Sequence, residues 1–259
     1  MNLSKILMVG CLFLPSLAIA EWYDSRGEYY FGVETSEKVA CKAAEDLAVL
    51  DVLRRTKGES ISVSQFQTCD DNRADVCRML SSAIMYTEGT VTGLKRVHQE
   101  VTTLPGKKVC TVSAKVKIQK EKGFADVSFH PEIKMVQTRL RDGETITYIV
   151  KPTSDMYLNL FVYSPHTEDI QLIYPNRYDS SKKITKVTNI PTKNSYKINA
   201  EFPKISGNLA GEMVIAVATK KEITFREKFT FTEFNERLLE IPRNERRVVR
   251  IPYFIMAPN

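Results

Sequence analysis

Residues 108–119 carry the most regular pattern in the chain, an alternation of apolar and polar side chains with a period of two. One face would hold the apolar set Cys110, Val112, Ala114, Val116 and Ile118. Such alternation predicts a β-strand that is buried on one side and open on the other. Residues 90–103, joined to it by the turn segment 104–107, predict the partner strand of a long β-hairpin.

The segment ahead of this hairpin predicts helices. Over residues 37–56 the apolar side chains recur at steps of three and four, which gives one buried helix face, and Ser36 offers an N-cap. A first strand is predicted at 28–33 and a second helix at 74–87. We therefore expect an α+β fold that begins with N-terminal helices packed on a small antiparallel sheet.

Beyond residue 123 the chain predicts short strands separated by turn residues, which is typical of a mainly antiparallel, β-sandwich-like domain. The predicted strands cover 132–139, 145–151, 156–163, 169–174, 195–200, 212–219 and 247–255, with a short helix at 231–239 before the last. The charged segment 120–123 is a natural linker. The predicted division is an N-terminal leader at 1–20, a disulfide-bearing domain at 21–122 and a β-rich domain at 123–259.

Residues 1–20 have the form of a cleaved signal peptide. A positive start ends at Lys5, an apolar run follows over 6–17, and Ala18 and Ala20 give the small-x-small cleavage site. This pattern predicts export, with the periplasm as destination and secretion or outer-membrane association as alternatives.

Two other interpretations of this leader fit the sequence less well. A membrane anchor fits less well, because the apolar run is short and Pro15 interrupts it. A lipoprotein box at Cys11 would leave too little apolar core ahead of the cysteine.

Four cysteines follow the leader, namely Cys41, Cys69, Cys77 and Cys110. An even number in an exported chain predicts two disulfides, and three pairings are open. We favour Cys69–Cys77, which closes a polar loop, and Cys41–Cys110, which ties a helix to a distant strand. The spacing is unlike that of a zinc site, so a structural role is expected.

The sequence contains none of the common catalytic motifs of enzymes. His98, His130 and His166 stand apart from one another, so no spacing makes a metal pair. Neither a serine-nucleophile elbow nor a glycine-rich phosphate loop occurs. We predict no catalytic, cofactor-binding or metal-binding residues and no cofactor.

The first domain also resembles a known family. Residues 39–48, 88–93 and 109–116 together resemble a bacterial envelope domain, which occurs in small outer-membrane lipoproteins and at the N-terminus of the flagellar assembly protein T. The resemblance covers about residues 26–120 and implies a place in the cell envelope.

The second domain is similar to a widespread bacterial domain of unknown function over about residues 130–225. The resemblance is carried by a tyrosine strand, a turn ending in Pro-Asn and a late Ala-x-Ala-Thr strand. The motif positions that it assigns are Tyr157, Leu172, Pro175 and Asn176. A proline followed by asparagine stops a strand, because proline has no N–H and asparagine tolerates turn conformations.

The net charge of +6 is spread over well-mixed charges and predicts ordinary solvated surface. We expect an exported, non-enzymatic structural or adaptor protein for a cell-envelope apparatus of the flagellar, pilus or secretion kind. Its partner would be an envelope complex or another copy of itself, with no nucleic acid and no transmembrane segment after processing. The alternative is a periplasmic module that binds a glycan, a lipid or a small anionic ligand through the β-domain.

Overall fold

A computed structural model describes residues 20–57, 91–119, 123–164, 167, 169–180, 182–204 and 208–258. The helix predicted over 74–87, the residues Cys69 and Cys77, and Ala18 of the cleavage site lie outside this part of the chain. The predictions made for them therefore stay predictions.

The first body contains one helix and three strands. These are β1 (Ala20–Phe31), α1 (Glu37–Lys57), β2 (Val91–Leu104) and β3 (Lys107–Gln119). The strands form an antiparallel sheet in the order β1-β3-β2, so that the predicted hairpin is confirmed and β3 is central. The apolar face of β3 is buried under α1, as its alternation predicted.

Helix α1 lies close to the sheet because small residues meet at the contact. Its N-terminus follows Ser36, whose Oγ accepts a hydrogen bond from the Val39 N–H at 3.3 Å. Ala44 and Ala48 are fully buried against Gly27 of β1. A Cβ at Gly27 would stand 1.9 Å from the Ala44 carbonyl oxygen, so only glycine allows this approach.

The second body consists of twelve described strands and one helix. The strands are β4 (Glu132–Met135), β5 (Arg139–Arg141), β6 (Thr145–Ile146), β7 (Tyr148–Lys151), β8 (Met156–Ser164), β9 (Asp169–Tyr174), β10 (Lys183–Ile184), β11 (Thr188–Ile190), β12 (Ile198–Asn199), β13 (Leu209–Thr219), β14 (Lys228–Thr230) and β15 (Arg246–Met256). The helix, α2, covers Phe231–Leu239, and a 3-10 turn at Arg243–Glu245 follows it.

Seven strands form a large sheet in the order β14-β9-β8-β13-β15-β5, with β10 also pairing to β8. Strand β13 is buried along almost its whole length because both faces of this sheet are covered. One face, with Leu160 and Val214, packs on the small sheet β11-β7-β4. The other face, with Phe161 and Ile215, packs on Phe234 of α2. The predicted α+β class is confirmed.

The predicted strand at 132–139 is in fact two strands in two sheets. Strand β4 pairs with β7 in the small sheet, whereas β5 pairs in parallel with β15 in the large one. The exposed residues 136–138 carry the chain between them. Strands β10, β11 and β14 were not predicted, since two or three residues are too few to establish an alternation.

The two bodies touch where α2 meets the start of β2. The Asn235 amide lies 3.4 Å from the Val91 carbonyl oxygen, and Phe231 packs beside the apolar cluster under α1. The predicted boundary between 122 and 123 adjoins residues outside the described part, so it stays a prediction.

Candidate functional site

A disulfide fixes the start of α1 to the centre of the first sheet. Cys41 and Cys110 are bonded, with their Cα atoms 5.2 Å apart, and both side chains are buried. This confirms the favoured pairing of these two residues. The bond holds α1 on one face of the sheet. The β3 side chains that alternate with Cys110 lie on the opposite face.

A buried carboxylate continues this attachment to β2. Glu45 of α1 accepts from Lys42 at 2.7 Å and from two guanidinium nitrogens of Arg96 at 2.7 and 2.8 Å. Burial acts to raise the pKa of Glu45, but the hydrogen bonds and charges of Lys42 and Arg96 outweigh it and hold that pKa below its ordinary value. Because this pair joins residues 51 positions apart, it could not be predicted from the sequence.

Among the described strands, β2 is an edge of the first sheet, and it is exposed over seven consecutive residues from Leu94 to Glu100. Its pairing with β3 is irregular between Arg96 and His98. The extra residue, Val97, is 61% exposed. An exposed edge offers unpaired backbone N–H and C=O groups to another chain.

A groove of about 670 Å³ lies between the start of α1 and the inner side of β2. Gln99 and Val101 of β2 line it, opposite Lys38 and Lys42 of α1, with Glu45 also on its wall. Its lining mixes apolar and charged groups. Because residues of β2 form one wall of the groove, the groove lies next to the edge of β2.

The face of the first sheet that is turned away from α1 is aromatic and basic at one end. The register places Trp22 and Gly93 beside Lys117 on this face. Trp22 is 41% exposed, and the ammonium groups of Lys95 and Lys117 lie 5.1 and 6.0 Å from its ring centre. The sequence could not predict this grouping around Trp22, because the pairing partners of a strand cannot be read from residue spacing.

In the second body, the predicted motif residues Pro175 and Asn176 form a turn after β9. Asn176 Oδ1 accepts from the backbone N–H groups of Tyr178 and Asp179 at 2.9 and 3.0 Å, as an asparagine at a turn can do. Its Nδ2 donates to the Ile173 carbonyl oxygen at 2.8 Å. These bonds hold the turn closed, and the structural role predicted for the motif residues stays a prediction.

This turn places a fully buried carboxylate, Asp179, against the loop after β11. Its Oδ2 accepts from the Thr192 N–H at 2.8 Å, the Thr192 hydroxyl at 2.7 Å and the Tyr196 hydroxyl at 3.2 Å. Tyr196 stacks on Tyr178 with ring centres 5.6 Å apart. Burial, with the charge of Asp179, raises the pKa of Tyr196 to about 12. Asp179 was not predicted as a site residue, because it belongs to no recognisable sequence motif.

A second buried carboxylate, Glu212 of β13, lies inside the sandwich. The Tyr253 hydroxyl donates to Glu212 Oε2 at 2.5 Å. Burial, together with the nearby charge of Glu212, raises the pKa of Tyr148. Burial raises the pKa of Glu212, against the lowering effect of hydrogen bonds from Tyr253 and Ser164. This cluster of one carboxyl group and two tyrosine hydroxyls lies in the core. The sequence did not predict it.

The other predicted site residues are dispersed. Tyr157 and Leu172 are half-buried in β8 and β9, and Ala20 is the first residue of β1. His98 and His130 are exposed in different bodies. Across the described ranges, no three His, Cys, Asp or Glu side chains gather as a cation site would require. In the same part of the chain, no helix is long and apolar enough to cross a membrane.

Residues 139–222 match the family model described as "Domain of unknown function (DUF4384)". The match runs from β5 through β13 and contains the four predicted motif positions of the second domain. The resemblance of the C-terminal region to a domain of unknown function is thus confirmed. Among curated proteins no match to the chain was found.

Proposed function

We propose that the protein is an exported, non-enzymatic adaptor or structural component of a bacterial cell-envelope apparatus, and that the edge of β2 recognises its partner. The observation that supports this most is the exposure of seven consecutive edge residues, Leu94–Glu100. Export to the periplasm rests on the leader pattern of residues 1–20. The choice of an envelope partner rests on the resemblance, inferred from sequence motifs alone, of residues 26–120 to the domain of outer-membrane lipoproteins and flagellar assembly protein T.

The chemistry of β2 suits the addition of one strand from a partner. Main-chain hydrogen bonds along an edge supply affinity, and pockets for alternate side chains supply specificity. Here the groove between α1 and β2 would receive the inward side chains of the added strand, with Gln99 and Val101 at its wall.

Two features of β2 would limit pairing with unrelated strands. Lys95 places a charge on the edge, and the irregularity at Val97 interrupts the register. Charges and bulges are the devices by which proteins keep open edges from aggregating. A partner would need a strand that complements both.

The test uses two valines of equal exposure. Val97 on the edge and Val187 in the second body are each 61% exposed. We expect Val97→Asp to abolish co-purification of the envelope partner from producing cells, because it adds an unpaired carboxylate inside the interface. Val187→Asp should leave the partner bound. Equal recovery with both variants would contradict the proposal.

A further inference from the structure

The face of the first sheet opposite α1 carries every second residue of β1. The register with β3 directs Trp22, Asp24 and Tyr30 to this side, while Tyr23 and Gly27 point to the helix. Trp22 and Tyr30 are 41% and 48% exposed. Two large, partly exposed aromatic side chains thus lie on one face of the sheet, at its opposite ends.

Trp22 is held in place on this face by its neighbours. Its ring reaches across β3 to Gly93 of β2, where a Cβ would stand 3.1 Å from the ring atom Cη2 and 3.2 Å from Lys117 Cβ. A larger residue at position 93 would crowd the ring and the Lys117 stem. Gly93 therefore provides the space in which the indole lies along the sheet.

Two lysines stand over the ring, and a third, Lys115, lies on the same sheet face between Asp24 of β1 and Lys95 of β2. Lys95 and Lys117 stand over the indole, and neither is in an ion pair with a described residue. Lys115 lies 3.5 Å from Asp24. The Trp22 surface, which we define as Trp22, Lys95, Lys115 and Lys117, is therefore positively charged.

The other end of the face differs. Lys107 stands over Tyr30 at 4.4 Å, but acidic groups are interspersed there, since Glu28 pairs with Arg26 and Glu100 lies beside His98. Attraction for anions is therefore concentrated at the Trp22 end.

An indole beside ammonium groups that no described residue pairs matches the boundary between lipid headgroups and water. Tryptophan favours that boundary because its ring is apolar and its N–H is polar, and lysines near it attract anionic headgroups. We propose that the Trp22 surface binds the phosphate headgroups of an anionic membrane. This inference rests on the proposed export, because export would bring the protein to such a membrane. Binding through the Trp22 surface would place the edge of β2 near the bilayer.

The chain's single tryptophan makes the test direct, because all tryptophan emission comes from position 22. Protein with the N-terminus that the producing cells generate is titrated with phosphatidylglycerol-containing vesicles and with phosphatidylcholine vesicles. We expect a blue shift with the anionic vesicles alone, weakened by added salt. Inorganic phosphate at matched concentration should give no shift, which distinguishes a membrane surface from the free anion.

Charge variants assign the effect to this surface. Since a lysine near an anionic membrane contributes about a fivefold gain in partitioning, Lys95→Gln with Lys117→Gln should weaken binding about 25-fold. The matched control, Lys186→Gln with Lys197→Gln, removes the same charge from exposed lysines of the second body. No shift with anionic vesicles, equal binding to phosphatidylcholine, or equal weakening in both double variants would overturn the inference. Because vesicles contain no protein partner, such a failure would not bear on the proposal that the edge of β2 binds a partner. That proposal is tested separately by the Val97→Asp variant.

Discussion

Two individual residues in the second body, both buried carboxylates, have different structural roles. Asp179 is fully buried and accepts three hydrogen bonds from Thr192 and Tyr196, which lie on a loop distant in sequence. Glu212 has one tyrosine donor at 2.5 Å inside the sandwich. The first carboxylate joins two loops, and the second is kept in the core with a raised pKa.

Replacing Asp179 should loosen the joined loops. We expect Asp179→Ala to lower the free energy of unfolding by about 2–3 kcal/mol, because the Thr192 and Tyr196 donors lose a charged acceptor. Chemical denaturation monitored by circular dichroism measures this. Asp155→Ala, at an exposed aspartate paired with Lys183, should cost less than about 1 kcal/mol. Equal losses in the two variants would contradict the joining role of Asp179.

Glu212 should make stability depend on pH. Burial raises its pKa above the ordinary value near 4.5, so the folded protein keeps a proton that the unfolded chain releases. The corresponding stability is fully present below the ordinary value and is lost as pH rises through the raised pKa. Denaturation midpoints measured from about pH 4 to 8 should therefore contain a decline that Glu212→Gln removes. If the decline persisted unchanged in Glu212→Gln, another group would be its source.

At the element scale, α2 is fixed at both of its ends. Thr230 caps its start, accepting from the Glu233 N–H while the Glu233 carboxylate accepts from the Thr230 N–H. The guanidinium of Arg246 donates to the carbonyl oxygens of Leu238 and Ile241 at its end. The helix can therefore cover the large sheet although it is only nine residues long.

Removing the N-cap should destabilise α2 and the sheet face beneath it. We expect Thr230→Ala to lower the free energy of unfolding by about 1 kcal/mol, the usual value of such a cap. Thermal denaturation measures the change. Thr138→Ala, at an exposed threonine of the same body, should leave the transition nearly unchanged. A larger loss at position 138 than at 230 would argue against the capping account.

The elements that sequence predicted well are those with long, regular patterns. The alternation ending at Ile118 located the hairpin, and the stepwise apolar residues beginning at Ala40 located α1. Strand β14, with three residues, had too little pattern to be found. The site was harder still, since the contacts of Trp22 with Gly93 and of Arg96 with Glu45 depend on strand register and helix placement.

At the scale of the whole molecule, the disulfide ties the first body together and the second body is stabilised by its large two-faced sheet. Cys41 and Cys110 are 69 residues apart in sequence. A cross-link over that distance restricts the unfolded chain strongly. The sheet around β13 instead depends on apolar packing from both sides.

Removing this disulfide should affect the two bodies unequally. We expect Cys41→Ala with Cys110→Ala to destabilise the first body by about 4 kcal/mol in the chain-entropy picture of cross-links. Hydrogen exchange read by mass spectrometry should show faster exchange in β1 and β3 and little change in β8 and β13. An equal increase in all four strands would contradict a bond that acts on the first body.

The edge of β2 is the surface that we propose meets an envelope partner. The most direct measurement is site-specific photo-crosslinking in intact cells, with the reactive residue placed at Val97 or at the equally exposed Val187. We predict that position 97 captures one defined envelope protein, whereas position 187 does not. Capture of the same proteins at both positions, or of none at position 97, would contradict the claim.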